Sequence, residues 1–417
     1  MDIEDIYKIY RASKSISTDT RSIKKGDLFF ALKGENFNGN QYANKAIKNG
    51  ALYAIIDEEE YAENDKFILV DNVLECLQRL ANYHRNQFEI PVIGITGSNG
   101  KTTTKELIHA ALSQSYEVHY TKGNLNNHIG VPLTLLAMPI STQIAIIEMG
   151  ANHLGEIELL SNIANPNFAI ITNCGKAHIE GFGSQENIKK GKGELFEHIK
   201  QNKGMAFVNE SIDYLLNMSE NLNRHLYDNL IVNHSNPFLN LKAEETDFNL
   251  NLVGRYNIPN ISAAYAIARY FKVEHNTIIN GLTNYTPKGL NRSEFKSFKG
   301  GNVIMDAYNA NPSSMLAAID SFSKENYDAK MVILGDMFEL GDKSDKEHQQ
   351  ILIKLSELDF DYKVVVGEMF SKNNCDTNIS CFDNTTDLKK WFKNFDMEQI
   401  TILIKGSRGM RLETLLD

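Results

Sequence analysis

Apolar residues along this chain fall into two rhythms. Before residue 88 the short runs DLFFAL, LYAIID and KFILV recur with turn residues between them, and continuous runs of that length bounded by polar turns predict buried strands. The stretch VLECLQRLANYHRNQ instead spaces its apolar residues three and four apart, which predicts a helix leading into Pro91. From Pro91 to about Thr286 the runs VIGITG, IAIIEMG and FAIITN alternate with helical stretches, the pattern of a parallel sheet covered by helices. A third segment starts near Pro287 and repeats the scheme, with NVIMDAY, MVILGD, KVVVGE and ITILIKG as strands and SSMLAAIDSF as a helix. The chain therefore divides into α/β units over 1–88, 89–286 and 287–417, while residues 215 to 250, rich in Asn, predict no clear element.

Chemistry enters first at GITGSNGKTTTK, Gly94 to Lys105. A buried strand, a glycine-rich turn and a helix opening at Thr102 would aim backbone N–H groups and the positive helix end at a polyphosphate. Lys101 would then reach the outer phosphates and the Thr102 hydroxyl a magnesium ion. The usual loop has a glycine where this one has Ile95, and Gly97 supplies the flexibility instead. The loop alone leaves open whether the nucleotide is hydrolysed, switches a conformation or drives a ligation.

In an open parallel sheet, ligands gather beyond the carboxyl ends of the strands. After VIGIT comes the loop, after IAII comes Glu148, and after FAII come Thr172 and Asn173, with His178 a few residues on. An acidic and an imidazole group beside a polyphosphate suit a divalent metal. Taken singly, such a Glu is usually a cap or surface charge and such a His a satisfied loop residue; their shared edge raises both. In KKGKGELF nothing local prefers Lys192 to Lys189 or Lys190. The third segment lacks a G-x-G-x-x-G fingerprint, so a dinucleotide cofactor is not supported.

Composition narrows the picture. A net charge of −10 with no basic arm argues against a nucleic-acid partner. No apolar run reaches the roughly 20 residues needed to span a bilayer, and MDIEDIYKIY carries no signal-peptide core, so a cytoplasmic protein is expected. Cys76, Cys174, Cys375 and Cys381 are scattered without metal-type spacing and are expected to be free thiols.

The motifs together resemble the Mur ligase family, nearly end to end. They are STDTRSIKKGDLFFALKGENFNG, GITGSNGKTTTKE, GNLNNHIGVPLTLL, EMGANHLGEI, ITNCGKAHIEGFGS, GKGE, LNRSE, DAYNANPSSM, LGDMFELG and KGSRG. The stretches E-M-G-A-N-H, Y-N-A-N-P and L-G-D-M-x-E-L-G look most like the dipeptide-adding branch, and the D-N-P-R motif of the branch that adds the third residue is missing. The sequence departs from the family's D-G-H at Asn38, Gly39 and Asn40, has Tyr256 where a His is usual, and has Ala307 beside Asp306.

The resemblance implies a fold and a role for each matching position. It implies a small α/β N-terminal domain for the UDP end of the substrate, a central phosphate-loop domain for ATP, and a Rossmann-like C-terminal domain. Gly97, Ser98, Asn99, Gly100, Lys101, Thr102 and Thr103 would bind the ATP phosphates, with Asn257, Arg292 and Asp306 completing the nucleotide site. Thr102, Glu148 and His178 would hold two Mg²⁺ ions, and Lys192 would act there as a carbamate, an anion where an ammonium would be repelled. Thr20, Arg21 and Lys33 would grip the UDP end, and Asn126, Asn127, Thr172, Asn309 and Asn311 the rest of the substrates. Lys101, Glu148, His178 and Lys192 would form the catalytic set of a monomer that joins D-alanyl-D-alanine to UDP-N-acetylmuramoyl-tripeptide through an acyl phosphate. The rival readings are a sister amide ligase using another amino acid, and a phosphate-loop regulatory ATPase whose turnover ignores peptides.

Overall fold

Four parallel strands near the N-terminus lie in the order Ile16–Ser17, Leu28–Phe30, Tyr53–Ile56 and Phe67–Leu69. They belong to a computed structural model that describes residues 1–287, 289, 291–373 and 376–417. Cys375, one of the expected free thiols, and Leu290, which opens the LNRSE stretch, lie outside the described residues. Each apolar run singled out above is a strand, and VLECLQRLANYHR is the helix Val73–Arg85. Its C-terminal Arg85 is buried and donates to the carbonyls of Ala164, Asn165 and Phe88 at 2.8–3.1 Å. The guanidinium thus sits on the negative end of the helix Glu156–Ala164 and docks the first unit on the second.

The central sheet has six parallel strands in the order Asn223–Tyr227, Met205–Asn209, Phe168–Ile171, Val92–Thr96, Ile144–Glu148 and Val118–Tyr120. All residues of Val92–Thr96 and Ile144–Glu148 are buried, because helices cover both faces. The strand order reverses around Val92–Thr96, so the loop that follows it opens into a crevice at the sheet's carboxyl edge.

The third sheet runs Glu294–Phe298, Gly301–Asp306, Ile400–Lys405, Ala329–Gly335, Tyr362–Val366 and Ser380–Phe382, with only the first strand antiparallel. Asp306 and Lys405 end neighbouring strands of it. The helix read from SSMLAAIDSF spans Pro312–Ser323, with Asn311 as its N-cap and Ser314 closing a capping box. The Asn-rich segment without a predicted element carries the strand Asn223–Tyr227 and an antiparallel sheet of Ile231–His234, Asn240–Ala243 and Thr246–Asn249. There, buried Leu241 and Ala243 alternate with Asn240 and Lys242, so one face is polar and no continuous apolar run marks the strand.

Candidate active site

The loop after Val92–Thr96 has the conformation that its glycines permit. Gly97 has φ 147°, and a Cβ there would stand 2.0 Å from the Thr172 hydroxyl oxygen. Gly100 has φ 81° and forms the N-cap of the helix Lys101–Leu112, one residue earlier than the sequence pattern suggests. The loop is braced from the next strand: Thr172 Oγ1 donates to the Asn99 carbonyl at 2.6 Å, Ser98 N to the Asn173 carbonyl at 2.8 Å, and Ser98 Oγ to the Gly175 carbonyl at 2.6 Å. Lys101 Nζ donates to the Gly97 carbonyl at 2.6 Å, and burial, countered by Glu148 and assisted by Arg292, holds its pKa below the usual lysine value.

Glu148 is the hub of the crevice and is 1% exposed. Its Oε1 accepts from Thr102 Oγ1 at 3.1 Å and Asn126 Nδ2 at 2.8 Å, while its Oε2 lies 3.3 Å from the ammonium of Lys105, a lysine with no exposed surface. Glu148 Oε2 and His178 Nδ1 are both buried without an aligned hydrogen-bond partner. A hard carboxylate oxygen and an imidazole nitrogen turned into one cavity beside Thr102 fit a divalent cation. Among the described residues no three His, Cys, Asp or Glu side chains converge as a protein-only metal centre. Such an ion would therefore take further oxygens from phosphates and water, as Mg²⁺ characteristically does.

The opposite wall comes from the third sheet. Asp306 is joined to Lys405 Nζ at 2.7 Å, and Arg292 stacks 3.7 Å over the Tyr308 ring with its Nε unpartnered. Asn257 donates to the Val253 carbonyl and to Ser293 Oγ at 2.9 and 3.1 Å, and the neighbouring Tyr256 hydroxyl meets the same Ser293 at 2.9 Å. Asn311 Nδ2 donates to Asn99 Oδ1 at 2.7 Å, so a residue of the third unit touches the phosphate loop directly. Asn309 is exposed at the rim, and its side chain accepts from Ala310 N. Together these groups line one cavity of about 880 Å³.

Lys192 is resolved from its neighbours by burial. It is 1% exposed and donates to the Ala151 carbonyl at 3.0 Å, whereas Lys189 is half-buried and Lys190 exposed. Burial, and then the charge of Lys101, bring its pKa down to about 7. Its amine lies just behind the cavity wall that Ala151 and Cys174 form.

The structure brings Ser98, Asn99, Gly100, Lys101, Thr102, Thr103, Asn126, Asn127, Glu148, His178, Asn257, Arg292, Asp306, Asn309 and Asn311 to that cavity. Gly97 and Thr172 support the loop from beneath. Thr20, Arg21 and Lys33 stand apart, in the first unit, where Arg21 pairs with Asp19 and Lys33 with Asp57 and Glu58. Asn40, at the family's usual His, is buried and bonded to Asn38 and Asp57. Three charged residues escaped the sequence reading: Lys105, Lys405 and Glu339, whose Oε2 lies 2.5 Å from His178 Nδ1. Each sits inside a stretch already singled out, TTTKE, KGSRG or LGDMFELG. Only the tertiary contact tells them from ordinary surface charges.

Family models match along the chain as follows: "Mur ligase family, catalytic domain" over residues 13–85, "Mur ligase middle domain" over 95–268, and "Mur ligase, glutamate ligase domain" over 291–408. The UDP-N-acetylmuramoyl-tripeptide–D-alanyl-D-alanine ligase of Bacillus subtilis is 36% identical over 96% of this chain and 92% of its own. The enzyme of the same name from Escherichia coli is 32% identical with the same coverage. Among solved structures, MurF from Acinetobacter baumannii superposes with a TM-score of 0.89 at 31% identity, covering 99% of this chain and 97% of that one. MurF from Thermotoga maritima, solved in complex with ADP, gives 0.85 at 26% identity, covering 97% and 96%.

Proposed function

The chain belongs to the Mur ligase family, and from that premise we propose that its cavity joins D-alanyl-D-alanine to UDP-N-acetylmuramoyl-tripeptide in an ATP-dependent, amide-forming reaction of peptidoglycan precursor assembly. One observation carries this reading. A phosphate loop with Glu148 and His178 from one sheet shares a cavity with Arg292, Asp306 and Lys405 from another. A two-substrate bond-forming site needs both walls, whereas a simple nucleotide switch leaves the second without a purpose.

Each group has a task. Lys101 and the N–H groups opening its helix bind the outer phosphates of ATP, with Gly97, Ser98, Asn99, Gly100, Thr102 and Thr103 shaping the loop. Asn257, Arg292 and Asp306 hold the nucleotide from the other side, and Lys405 fixes the Asp306 carboxylate. Asn126, Asn127, Thr172, Asn309 and Asn311 serve the peptide side, and Thr20, Arg21 and Lys33 the UDP end. Residues 1–88, 89–286 and 287–417 thus act as substrate, ATP and closing units. Held by Thr102, Glu148 and His178, with Lys192 beside the second, two Mg²⁺ ions would supply positive charge that offsets the charge of the phosphates.

The terminal carboxylate of the tripeptide attacks the γ-phosphorus, the bond to the bridging oxygen breaks, and acyl phosphate and ADP result. Lys101 offsets charge on the transferring group. The uncharged amine of the dipeptide then attacks the acyl carbon, a tetrahedral intermediate collapses, inorganic phosphate leaves and the amine's proton passes to solvent. An acyl phosphate is lost to water unless the cavity is closed, and the contacts of the third unit with Asn99, Lys176 and Gly183 provide that closure.

Lys192 serves as a carbamate. Its lowered pKa supplies the neutral amine that adds to carbon dioxide, releasing one proton. The enzyme works as a monomer, since every group named above comes from one chain, and in the cytoplasm, where ATP is at hand. Among the described residues no helix is long and apolar enough to cross a membrane.

The test is phosphate release from ATP and Mg²⁺ with the UDP-linked tripeptide, with and without D-alanyl-D-alanine. Release that needs both substrates, with a product of pentapeptide mass, is the expected result. Release indifferent to either would mean a regulatory ATPase, and release with another amine a sister ligase.

A further inference from the structure

Four carboxylates line the cavity, and three are already engaged. Glu148 holds Thr102, Asn126 and Lys105. Glu156 accepts from Asn152 N at 2.6 Å and His153 N at 3.2 Å. Asp306 is paired with Lys405. Glu339 is different: among the described residues its side chain meets only the His178 imidazole, and that contact lacks hydrogen-bond alignment. Its side chain stays 52% exposed, and the adjoining Phe338, on the same wall, is 46% exposed.

The backbone holds this pair in place at a conformational penalty. Glu339 has φ 61° and the facing His178 φ 52°, a left-handed region that non-glycine residues seldom occupy unless their surroundings impose it. The surroundings do so here. Met337 N donates to His348 Nε2 at 3.0 Å, Phe338 N to Ser407 Oγ at 2.9 Å, and Glu180 N to the Glu339 carbonyl at 3.2 Å. A rigid loop thus presents a carboxylate beside an uncovered aromatic ring at the mouth of the cavity. That combination suits a small ligand bearing an ammonium and short aliphatic groups.

We infer that Glu339 and Phe338 form the subsite of the incoming amine, Glu339 receiving the ammonium of D-alanyl-D-alanine and Phe338 packing on its methyl groups. This rests on the ligase reading and makes both residues determinants of which amine is used. It assigns them no part in acyl phosphate formation.

The experiment compares wild type, Glu339→Gln and Phe338→Ala in steady state, varying each substrate and Mg²⁺ in turn. A parallel assay omits the dipeptide and traps the acyl phosphate with hydroxylamine, an uncharged nucleophile. Glu339→Gln is expected to raise the KM for D-alanyl-D-alanine roughly 10- to 100-fold. The KM values for ATP and the UDP-linked tripeptide, the Mg²⁺ dependence and the hydroxamate yield should stay within about twofold. Phe338→Ala is expected to lower the preference for D-alanyl-D-alanine over glycylglycine; an unchanged preference overturns the role of the ring. Equal increases in all three KM values, or a shifted Mg²⁺ dependence, would make Glu339 a closing or metal-side group and overturn the inference. If Glu339→Gln fails to fold, Glu339→Asp carries the same test. Wild type that ligates beside a Glu339→Gln enzyme with unchanged dipeptide KM overturns the inference alone. Wild type that turns over no dipeptide removes the ligase reading and the inference with it.

Discussion

Lys176 and Glu347 tie the central unit to the third. The lysine ammonium reaches both carboxylate oxygens, at 2.8 and 3.1 Å, and Glu347 is 5% exposed on the side chain. Beside it Lys176 N donates to Ser313 Oγ at 2.8 Å, and Lys343 Nζ reaches the Gly183 carbonyl at 2.6 Å. Removing the lysine leaves a buried carboxylate unpaired. Because the lysine end is partly open to water, the loss is discounted to about 1–2 kcal/mol. The third unit's contribution to the site should loosen by that amount. Lys176→Met is expected to lower kcat about tenfold and to speed proteolysis between residues 286 and 300, and unchanged values for both would refute the latch.

Glu148→Ala should do more than remove a metal-side oxygen. Lys105 has no exposed surface, and its other carboxylate, Glu106, stands 3.3 Å away and is 18% exposed on the side chain. Taking Glu148 away leaves Lys105 under-compensated in a dry interior, a loss of about 3 kcal/mol. A thermal midpoint lowered by about 2–4 °C per kcal/mol is therefore expected together with lost turnover. Lys105→Met in the same chain should restore the midpoint without the activity. Calorimetry that finds Glu148→Ala as stable as wild type would contradict the pairing.

Gly97→Ala tests the loop itself. The new Cβ would fall 2.0 Å from Thr172 Oγ1, and φ 147° strains any side chain. Turnover should fall by more than about 100-fold, as a misplaced phosphate cradle implies. Thr172→Ala in addition should relieve the clash yet not the backbone strain, and it removes the brace to Asn99. Kinetics of the double variant that return to wild type would show that the steric contact alone matters.

Several of these positions were legible in the sequence because they follow apolar runs. Ile144–Glu148 and Phe168–Ile171 are buried on both faces, so the polar residue that ends each run marks the sheet edge where ligands meet. The strand Asn240–Ala243 was not legible, since its two buried residues alternate with Asn and Lys. Lys192 could not be told from Lys189 or Lys190 because the distinction is which face of the helix Gln185–Gln201 packs on Ala151. Glu339 was invisible for a third reason: its significance lies in His178, a residue of another unit. Local pattern thus located strand ends, while the pairing of charges across the units needed the fold.

The carbamate at Lys192 gives a dependence on pH and on carbon dioxide together. Only the uncharged amine adds carbon dioxide, and with the folded pKa lowered to about 7 the amine is mostly neutral above that value and mostly protonated below it. The sign follows: carbamate should be favoured as pH rises through about 7 and be lost as pH falls. In the unfolded chain the same group stays protonated up to the ordinary lysine range, so the gain belongs to the native site alone. Carbon-13-labelled bicarbonate should give a carbamate resonance in wild type at pH 8 that fades toward pH 6. Activity should decline in parallel, and less steeply when bicarbonate is raised. Lys192→Ala should lose the resonance and about 100-fold or more in kcat, if the anion acts on the transferring phosphoryl group as other fixed charges do. Short carboxylates should then restore part of that activity. Full activity in Lys192→Ala, or a wild-type enzyme indifferent to removal of carbon dioxide, would leave the buried amine with a packing role against Phe182 and Ala151 only.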